Sequence, residues 1–209
     1  MRDFDVADAV RGCFFGKSFD GENDTSLRTL IDNTIHALLE SCFDDGNLPT
    51  SMSSTHNNLV QWCHGSPGLI ILLKFLLQKR KGNCVKGIHS PAKETKEINL
   101  TYFIRKAAEC VWRRGLTKKG PGLCHGAAGN GYSLLVAYRA IEASGDDHVA
   151  SKLLLARVKR FGEWVAENAE QSASLADSSG SLFEGVSGAC SFVADTIDPQ
   201  NAWFPGSEV

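Results

Sequence analysis

Apolar side chains recur along this chain at intervals of three and four residues, which is the spacing of one face of an α-helix. The first stripe comprises Leu27, Leu30, Ile31, Ile35, Leu38, Leu39 and Cys42. The second comprises Leu100, Phe103, Ile104, Ala107, Ala108, Val111 and Trp112. The third begins near Asp146 and comprises Val149, Leu153, Leu154, Val158, Phe161, Trp164 and Val165. The pattern predicts three amphipathic helices that cover a more apolar layer.

Three other segments are apolar on nearly all sides, which is typical of helices buried between neighbours. The first starts near Pro67 and ends at about Gln78, the second covers 127–143, and the third covers 187–197. No segment alternates apolar and polar residues between hairpin turns. The sequence therefore predicts an all-α fold in which outer amphipathic helices pack on inner apolar ones.

A glycine-rich hexapeptide precedes each predicted inner helix. It reads CHGSPG at 63–68, CHGAAG at 124–129 and FEGVSG at 183–188. An internal repeat of this kind indicates stacked copies of one unit, here a helical hairpin whose inner helix begins at the glycine turn. Hairpins stacked around an axis place all such turns at the same end.

Between these repeats, segments 79–96 and 172–181 are rich in glycine, serine or charge, and we expect surface loops there. Residues 1–26 have no helical spacing, so we expect a poorly packed leader ahead of one domain at 27–209. That division agrees with the chain length of 209 residues, which suits one domain.

Charge and composition exclude several function classes. The chain carries 22 lysines and arginines against 24 acidic residues, so no general positive field favours a nucleic-acid partner. The most apolar run, 69–77, contains a lysine and is too short to cross a bilayer. Because the N-terminus also lacks an apolar signal segment, we expect a cytoplasmic protein without a transmembrane segment. Its seven cysteines are an odd number, and we expect them to be reduced.

The repeated Cys-His pairs are the residues best suited to chemistry. Equivalent turns of stacked hairpins lie close in space, so Cys63, Cys124 and His125 can share one metal ion. Three ligands of thiolate and imidazole type, with the fourth tetrahedral position open, are the pattern of a catalytic zinc. The alternative is that both cysteines are small apolar residues buried in glycine turns. The repetition of the whole motif favours the metal.

Three neighbours complete the candidate site. His64 is assigned as a catalytic proton shuttle, although a fourth ligand or a residue that orients a ligand also suits its position. Glu184 takes in the third turn the place of the histidines, and it either faces the same cavity or lies in solvent. Trp62 either packs in the core or walls the pocket. We expect Glu184 and Trp62 to contribute to ligand binding, and the remaining cysteines to be packing or surface residues.

Four stretches together resemble the eukaryotic lanthionine synthetase C-like family. They are VQWCHGSPG at 60–68, GLCHGAAGN at 122–130, SLFEG at 181–185 and WFP at 203–205. The resemblance implies an α/α toroid, zinc held by Cys63, Cys124 and His125, and binding of glutathione. It further implies thioether formation, in which glutathione or a peptide thiol adds to a dehydroamino acid in a peptide.

Members of that family are longer on the N-terminal side, where further hairpins and another glycine turn supply a catalytic histidine. Residues 1–26 hold no counterpart, so we expect an incomplete ring, impaired catalysis and self-association through the open edge of the toroid. Plant members have been proposed as hormone receptors, which adds peripheral association with the plasma membrane as an expectation.

Two other functions compete with thiol addition. The first is a non-catalytic module that binds zinc and glutathione or takes part in signalling. The second is a glycosidase on a related toroid, which needs two carboxylates on either side of a sugar bond. Glu184 has no acidic partner in the other two glycine turns, so the glycosidase ranks last.

Overall fold

The computed structural model describes residues 25–51, 53–82, 99–145 and 147–205, and within these ranges it is helical without strands. The helices are α1 Thr25–Glu40, α2 Ser66–Gly82, α3 Leu100–Arg114, α4 Ala127–Ser144, α5 His148–Ala173 and α6 Val186–Asp195. The predicted all-α class is therefore confirmed.

The helices are arranged in two layers. In the inner layer, α4 packs against both α2 and α6. In the outer layer, α3 lies against α2 and α4, whereas α5 lies against α4 and α6. Each of these outer helices thus covers the groove between two inner ones, which is the layering of an α/α toroid.

The inner helices are buried because nearly every position along them is apolar or small. In α4 the residues from Ala127 to Tyr138 are all buried, and in α2 the run from Leu69 to Leu73 is buried as well. Each fully buried leucine or isoleucine contributes roughly 1.5–3 kcal/mol relative to an exposed one. The packing of α4 between two neighbours is therefore a principal source of stability.

Helices α1 and α5 differ from prediction near their N-terminal ends. Val149 and Leu153, assigned to the buried stripe of α5, are 79% and 51% exposed. The buried face of that helix instead comprises Ser151, Leu154, Val158, Phe161, Gly162 and Val165. Leu30 and Ile31 of α1 are also exposed. Apolar residues that fall outside the three-and-four spacing of the buried set lie on another side of the helix.

The two predicted loops and the predicted leader can be compared with the observed helix bounds. Helix α2 continues to Gly82, so the expectation of a loop starting at residue 79 is wrong for its first residues. The remainder of that segment, from 83, lies outside the described residues, as do residues 1–24 of the expected leader. Helix α5 ends at Ala173, which agrees with the second predicted loop. Among the described helices, none has both the length and the apolarity that a bilayer crossing requires.

Candidate metal centre

The three glycine turns lie side by side and are joined by backbone hydrogen bonds. The amide of Cys63 donates to the carbonyl of Cys124 at 3.3 Å, and the amide of Cys124 donates to the carbonyl of Phe183 at 2.7 Å. The second turn therefore lies between the first and the third. Each turn leads directly into an inner helix, as the repeat predicts.

The first turn requires glycine at position 65. Gly65 has a φ of +124°, which side-chain-bearing residues rarely adopt. A Cβ atom there would lie 2.6 Å from the carbonyl oxygen of Leu59 and 2.7 Å from Oδ1 of Asn47. That same Oδ1 accepts a hydrogen bond of 2.8 Å from the amide of Ser66, the first residue of α2. Glycine at this position therefore lets Asn47 come close enough to bond the first residue of α2.

Three predicted ligands converge where the first two turns meet. The donor atoms of Cys63, Cys124 and His125 all lie within 4.8 Å of one another, and the three side chains are half-buried. No other group of three histidine, cysteine or acidic residues within the described ranges has this geometry. Two thiolates and one imidazole are ligand types that zinc takes, and they leave one tetrahedral position for another ligand. The residues present thus fit a zinc site with one open coordination position.

The two thiols of the cluster differ in acidity. A hydrogen bond with Cys124 raises the pKa of the Cys63 thiol above its ordinary value, and burial raises it further. The same bond lowers the pKa of Cys124, an effect that burial opposes and that His125 reinforces. The hydrogen bond between the two thiols therefore makes Cys124 the more acidic of the pair.

Two residues contact His125, one at its imidazole and one at its backbone. Its Nε2 lies 3.7 Å from Oδ2 of Asp177, a carboxylate on the loop that follows α5. The hydroxyl of Thr117 donates to the backbone carbonyl of His125 at 2.8 Å. Residues from the approach to the second turn and from the loop before the third thus border this ligand.

His64, Glu184 and Trp62 surround the cluster in different ways. His64 is half-buried beside Cys63, its carbonyl accepts from the amide of Gln61 at 3.0 Å, and its ring is outside the three-ligand group. The negative charge of Glu184 raises the pKa of Cys124, so its carboxylate lies within electrostatic reach of that thiol. Trp62 stacks on Phe204, with ring centroids 5.4 Å apart, and contacts Phe183 at 5.9 Å. Trp62 therefore packs partly against the core, and its place in a ligand pocket stays a prediction.

Sequence reasoning missed several neighbours of the ligands. The positive charge of Lys119 lowers the pKa of Cys63, although hydrogen bonding and burial outweigh that effect. Oε1 of Gln61 lies 3.7 Å from the sulfur of Cys63. Both residues stand a few positions from a ligand, so closeness along the chain is a signal that points to them. Asp177 lies in a serine-rich loop, where neither periodicity nor a motif distinguishes it.

The remaining cysteines in the described part of the chain lie apart from this group. Cys110 is buried, Cys42 is half-buried, and Cys190 is exposed. These environments agree with packing or surface roles. Cys13 and Cys84 lie outside the described residues.

Comparison with known proteins adds the family context. A family model described as lanthionine synthetase C-like protein matches residues 16–209. The chain is similar to the glutathione S-transferase LANCL1 of Danio rerio, with 32% identity over 184 residues that cover 87% of this chain. It is also similar to the LanC-like protein GCL1 of Arabidopsis thaliana, with 28% identity over 86% of this chain. The matched regions make up 39% and 37% of those two relatives, so the chain spans about two fifths of their length.

Proposed function

The chain belongs to the lanthionine synthetase C-like family, and on that premise we propose that it binds one zinc ion and uses it to add thiols to dehydroamino acids. Cys63, Cys124 and His125 hold the metal. The thiol comes from glutathione or a peptide cysteine, and the acceptor is a dehydroamino acid within a peptide. The observation that carries the proposal is the convergence of the three ligands from two repeats. The Danio rerio relative is named a glutathione S-transferase, which supports glutathione as the thiol.

The reaction requires a thiolate at neutral pH. A free thiol has a pKa of about 8.5, so only a few per cent is deprotonated near pH 7. Zinc, when bound, supplies a Lewis acid that keeps a coordinating thiol deprotonated. The three protein ligands leave room for such a thiol because they are one fewer than a tetrahedral site accepts.

His64 supplies the proton in this proposal. When the thiolate forms a bond to the β-carbon of the acceptor, the electron pair of the double bond moves to the α-carbon and its carbonyl. Protonation of the α-carbon completes the addition, and an imidazole is a suitable general acid for that step. The position of His64 directly beside Cys63 supports this role.

Charged and aromatic groups around the cluster suit the two substrates. Lys119 is exposed and acts electrostatically on Cys63, so we assign it to a carboxylate of glutathione. Glu184, which acts on Cys124, is assigned to the amino group of the same molecule. Trp62 and the partly exposed Phe183 form an apolar wall that we assign to the acceptor peptide.

Metal analysis of the purified chain tests the ligand assignment. We expect one zinc per chain in the wild type and much less in Cys124→Ser after challenge with a chelator. Cys110→Ser is the control, because Cys110 is buried away from the cluster. Equal retention of zinc by wild type and Cys124→Ser would show that the ligands are elsewhere.

Calorimetric titration with glutathione tests the thiol assignment. We expect glutathione to bind much more tightly than S-methylglutathione when zinc is present, because the methyl group blocks coordination through sulfur. Equal affinities would mean that the sulfur does not reach the metal. Turnover of a dehydroalanine peptide then separates an enzyme from a non-catalytic module, which would bind zinc and glutathione without forming the thioether.

A further inference from the structure

Asn130 joins the two ligand-bearing turns through its side chain. It is fully buried in the first part of α4, the helix that begins after His125. Its Nδ2 donates one hydrogen bond to the carbonyl of Val60 and another to the carbonyl of Gly115, each of 2.8 Å. Both hydrogens of one amide group are therefore used to hold backbone from different repeats.

The two carbonyls belong to the segments that lead into the ligands. Val60 lies shortly before Cys63 in the first turn, and Gly115 caps α3 at the start of the segment leading to Cys124. Asn130 itself follows the second turn. One side chain thus sets the spacing between the backbone that carries Cys63 and the backbone that surrounds Cys124 and His125.

The orientation of this amide is determined by its surroundings. Both groups that face Nδ2 are carbonyl oxygens, so the reversed amide would place acceptor against acceptor. Oδ1 is buried and has no hydrogen-bond partner among the described residues. The two donated hydrogen bonds therefore fix the amide in this orientation.

We propose that Asn130 is a positioning residue of the metal centre, which fixes the distance between Cys63 and the Cys124–His125 pair. This inference rests on the proposed function. Metal sites tolerate little displacement of their ligands, and loss of a residue that positions ligands typically weakens metal binding by about 10–100-fold. Asn130 acts through the backbone rather than by contact with a ligand atom, so its removal should change affinity and geometry together.

The test uses Asn130→Ala and Asn130→Asp, with Tyr132→Phe as the matched control. Tyr132 lies on the same helix and is also buried, but its hydroxyl bonds Asp195 at 2.6 Å and Ser191 at 2.8 Å, both on α6. We expect both Asn130 variants to bind zinc at least about tenfold more weakly in chelator competition. We also expect altered visible absorption bands of the cobalt-substituted protein. Tyr132→Phe should unfold at a lower urea concentration, while its zinc affinity and the absorption bands of its cobalt form stay unchanged.

A metal-free measurement tests the positioning role of Asn130 without zinc. In a glutathione redox buffer, one glutathione disulfide and the two protein thiols exchange to give the Cys63–Cys124 disulfide and two glutathione thiols. We expect Asn130→Ala to lower this equilibrium constant severalfold, as measured by peptide mapping, and Tyr132→Phe to leave it unchanged. If Asn130→Ala does not fold, Asn130→Ser replaces it in both measurements.

The outcomes separate the two proposals. If wild type binds no zinc but the disulfide equilibrium falls in the Asn130 variant, the proposed function fails and the positioning role stands. If zinc affinity, cobalt spectrum and disulfide equilibrium are the same in folded Asn130 variants and wild type, Asn130 does not position the ligands. Equal changes in Tyr132→Phe would also overturn the inference, because they would reflect general loss of stability.

Discussion

The two cysteine thiols of the candidate metal centre differ in acidity, although Cys63 and Cys124 occupy equivalent places in the repeat. The hydrogen bond from Cys63 lowers the pKa of Cys124, whereas the same bond and burial raise that of Cys63. Sequence equivalence gives no indication of this difference. It arises because one hydrogen bond between the two thiols raises the pKa of Cys63 and lowers that of Cys124, and a hydrogen bond with His125 lowers the pKa of Cys124 further.

Alkylation of the metal-free protein should reveal this asymmetry. The pKa of Cys124 is lowered to about 6 by its hydrogen bond with Cys63, whereas burial raises the pKa of Cys42 to about 11. The thiolate is the nucleophile. We therefore expect iodoacetamide to modify Cys124 much faster than Cys42 at pH 7, with the rate at Cys124 falling as pH drops through 6. Peptide mapping by mass spectrometry measures both rates.

The control for that experiment is Cys63→Ala. It removes the hydrogen bond that stabilises the Cys124 thiolate, so alkylation of Cys124 at pH 7 should become slower. An unchanged rate in this variant would show that the two sulfurs do not interact in solution.

Replacement of Gly65 tests the backbone of the first turn. Alanine at this position combines an unfavourable φ with contacts of 2.6 Å to Leu59 and 2.7 Å to Asn47. Backbone strain of about 1–2 kcal/mol and overpacking of about 1–3 kcal/mol give an expected loss of about 3 kcal/mol in unfolding free energy. Urea denaturation measures the loss, and zinc affinity should fall with it because Cys63 moves.

Gly145→Ala is the matched control. Gly145 also has a positive φ, of +73°, but its added Cβ meets nothing within 4 Å. We expect Gly145→Ala to lower the unfolding free energy by only about 1 kcal/mol, because only backbone strain contributes. Equal losses in the two variants would mean that the close contacts at Gly65 relax without cost.

Helices of the inner layer were more predictable than those of the outer layer. A segment that is apolar on all sides has one stable environment, so the pattern predicts the second inner helix at 127–143, and the structure has it at Ala127–Ser144. An outer helix offers several apolar residues, and only packing decides which of them are covered. Val149 of α5 is exposed for this reason. The charged residues and glycines after residue 78 predict a loop, but the helix continues to Gly82. Lysine and arginine have high helix propensity, which explains the longer helix.

The connection from α1 to α2 is held to helix α3 by a polar network. Asp45 pairs with Arg114 at 2.5 Å and also accepts from the amide of Asn47 and the side chain of Asn57, each at 3.0 Å. Burial alone would raise the pKa of Asp45, but these hydrogen bonds and the guanidinium of Arg114 outweigh it and lower the pKa. The network ties the segment that ends in Cys63 to the helix that precedes Cys124.

Asp45→Asn should therefore destabilise the chain in a pH-dependent way. A lowered pKa in the folded state means that the carboxylate stabilises the fold above its unfolded pKa of about 3.9, and that this contribution is lost as pH falls through the folded value. We expect a loss of about 1 kcal/mol at pH 7, since partial exposure screens the pair. The difference from wild type should shrink below about pH 4, as urea denaturation at several pH values would show.

Glu163→Gln provides the comparison for Asp45. Glu163 pairs with Arg160 at 2.7 Å, but the two side chains are 55% and 74% exposed. An exposed pair of this kind contributes little, so stability should change by less than about 0.5 kcal/mol. A difference between wild type and Asp45→Asn that stays constant from pH 7 to pH 3 would contradict the assignment of the effect to the Asp45 charge.

For the molecule as a whole, the repeat made it predictable that the three candidate ligands lie together. Stacked copies place equivalent turns together, so Cys63, Cys124 and His125 could be grouped without any knowledge of distances. Residues that approach the site from outside the equivalent turns could not be predicted in this way. Asp177 approaches His125 from a loop, and Asn130 bonds Val60 across a long stretch of sequence. Their positions depend on how the hairpins pack, and no local sequence pattern predicts that packing.

Because the three candidate ligands come from two repeats, the proposed zinc ion should stabilise the whole fold. A metal that binds only the folded state adds RT ln(1 + [L]/Kd), or about 2.7 kcal/mol when free zinc is one hundred times Kd. For a chain of this size each kcal/mol corresponds to roughly 2–4 °C in Tm, so we expect removal of zinc to lower Tm by roughly 5–10 °C. Scanning calorimetry with and without a chelator measures the shift.

The same measurement on two cysteine variants identifies where the stabilising metal binds. Cys110→Ser should keep the zinc-dependent shift, because Cys110 is buried on α3 outside the ligand group. Cys124→Ser should lose most of it, since it removes the ligand whose turn is bonded to both neighbouring turns. An equal shift in the two variants would place the stabilising metal elsewhere. A shift confined to chains with Cys124 would mean that the metal connects the hairpins that the glycine turns bring together.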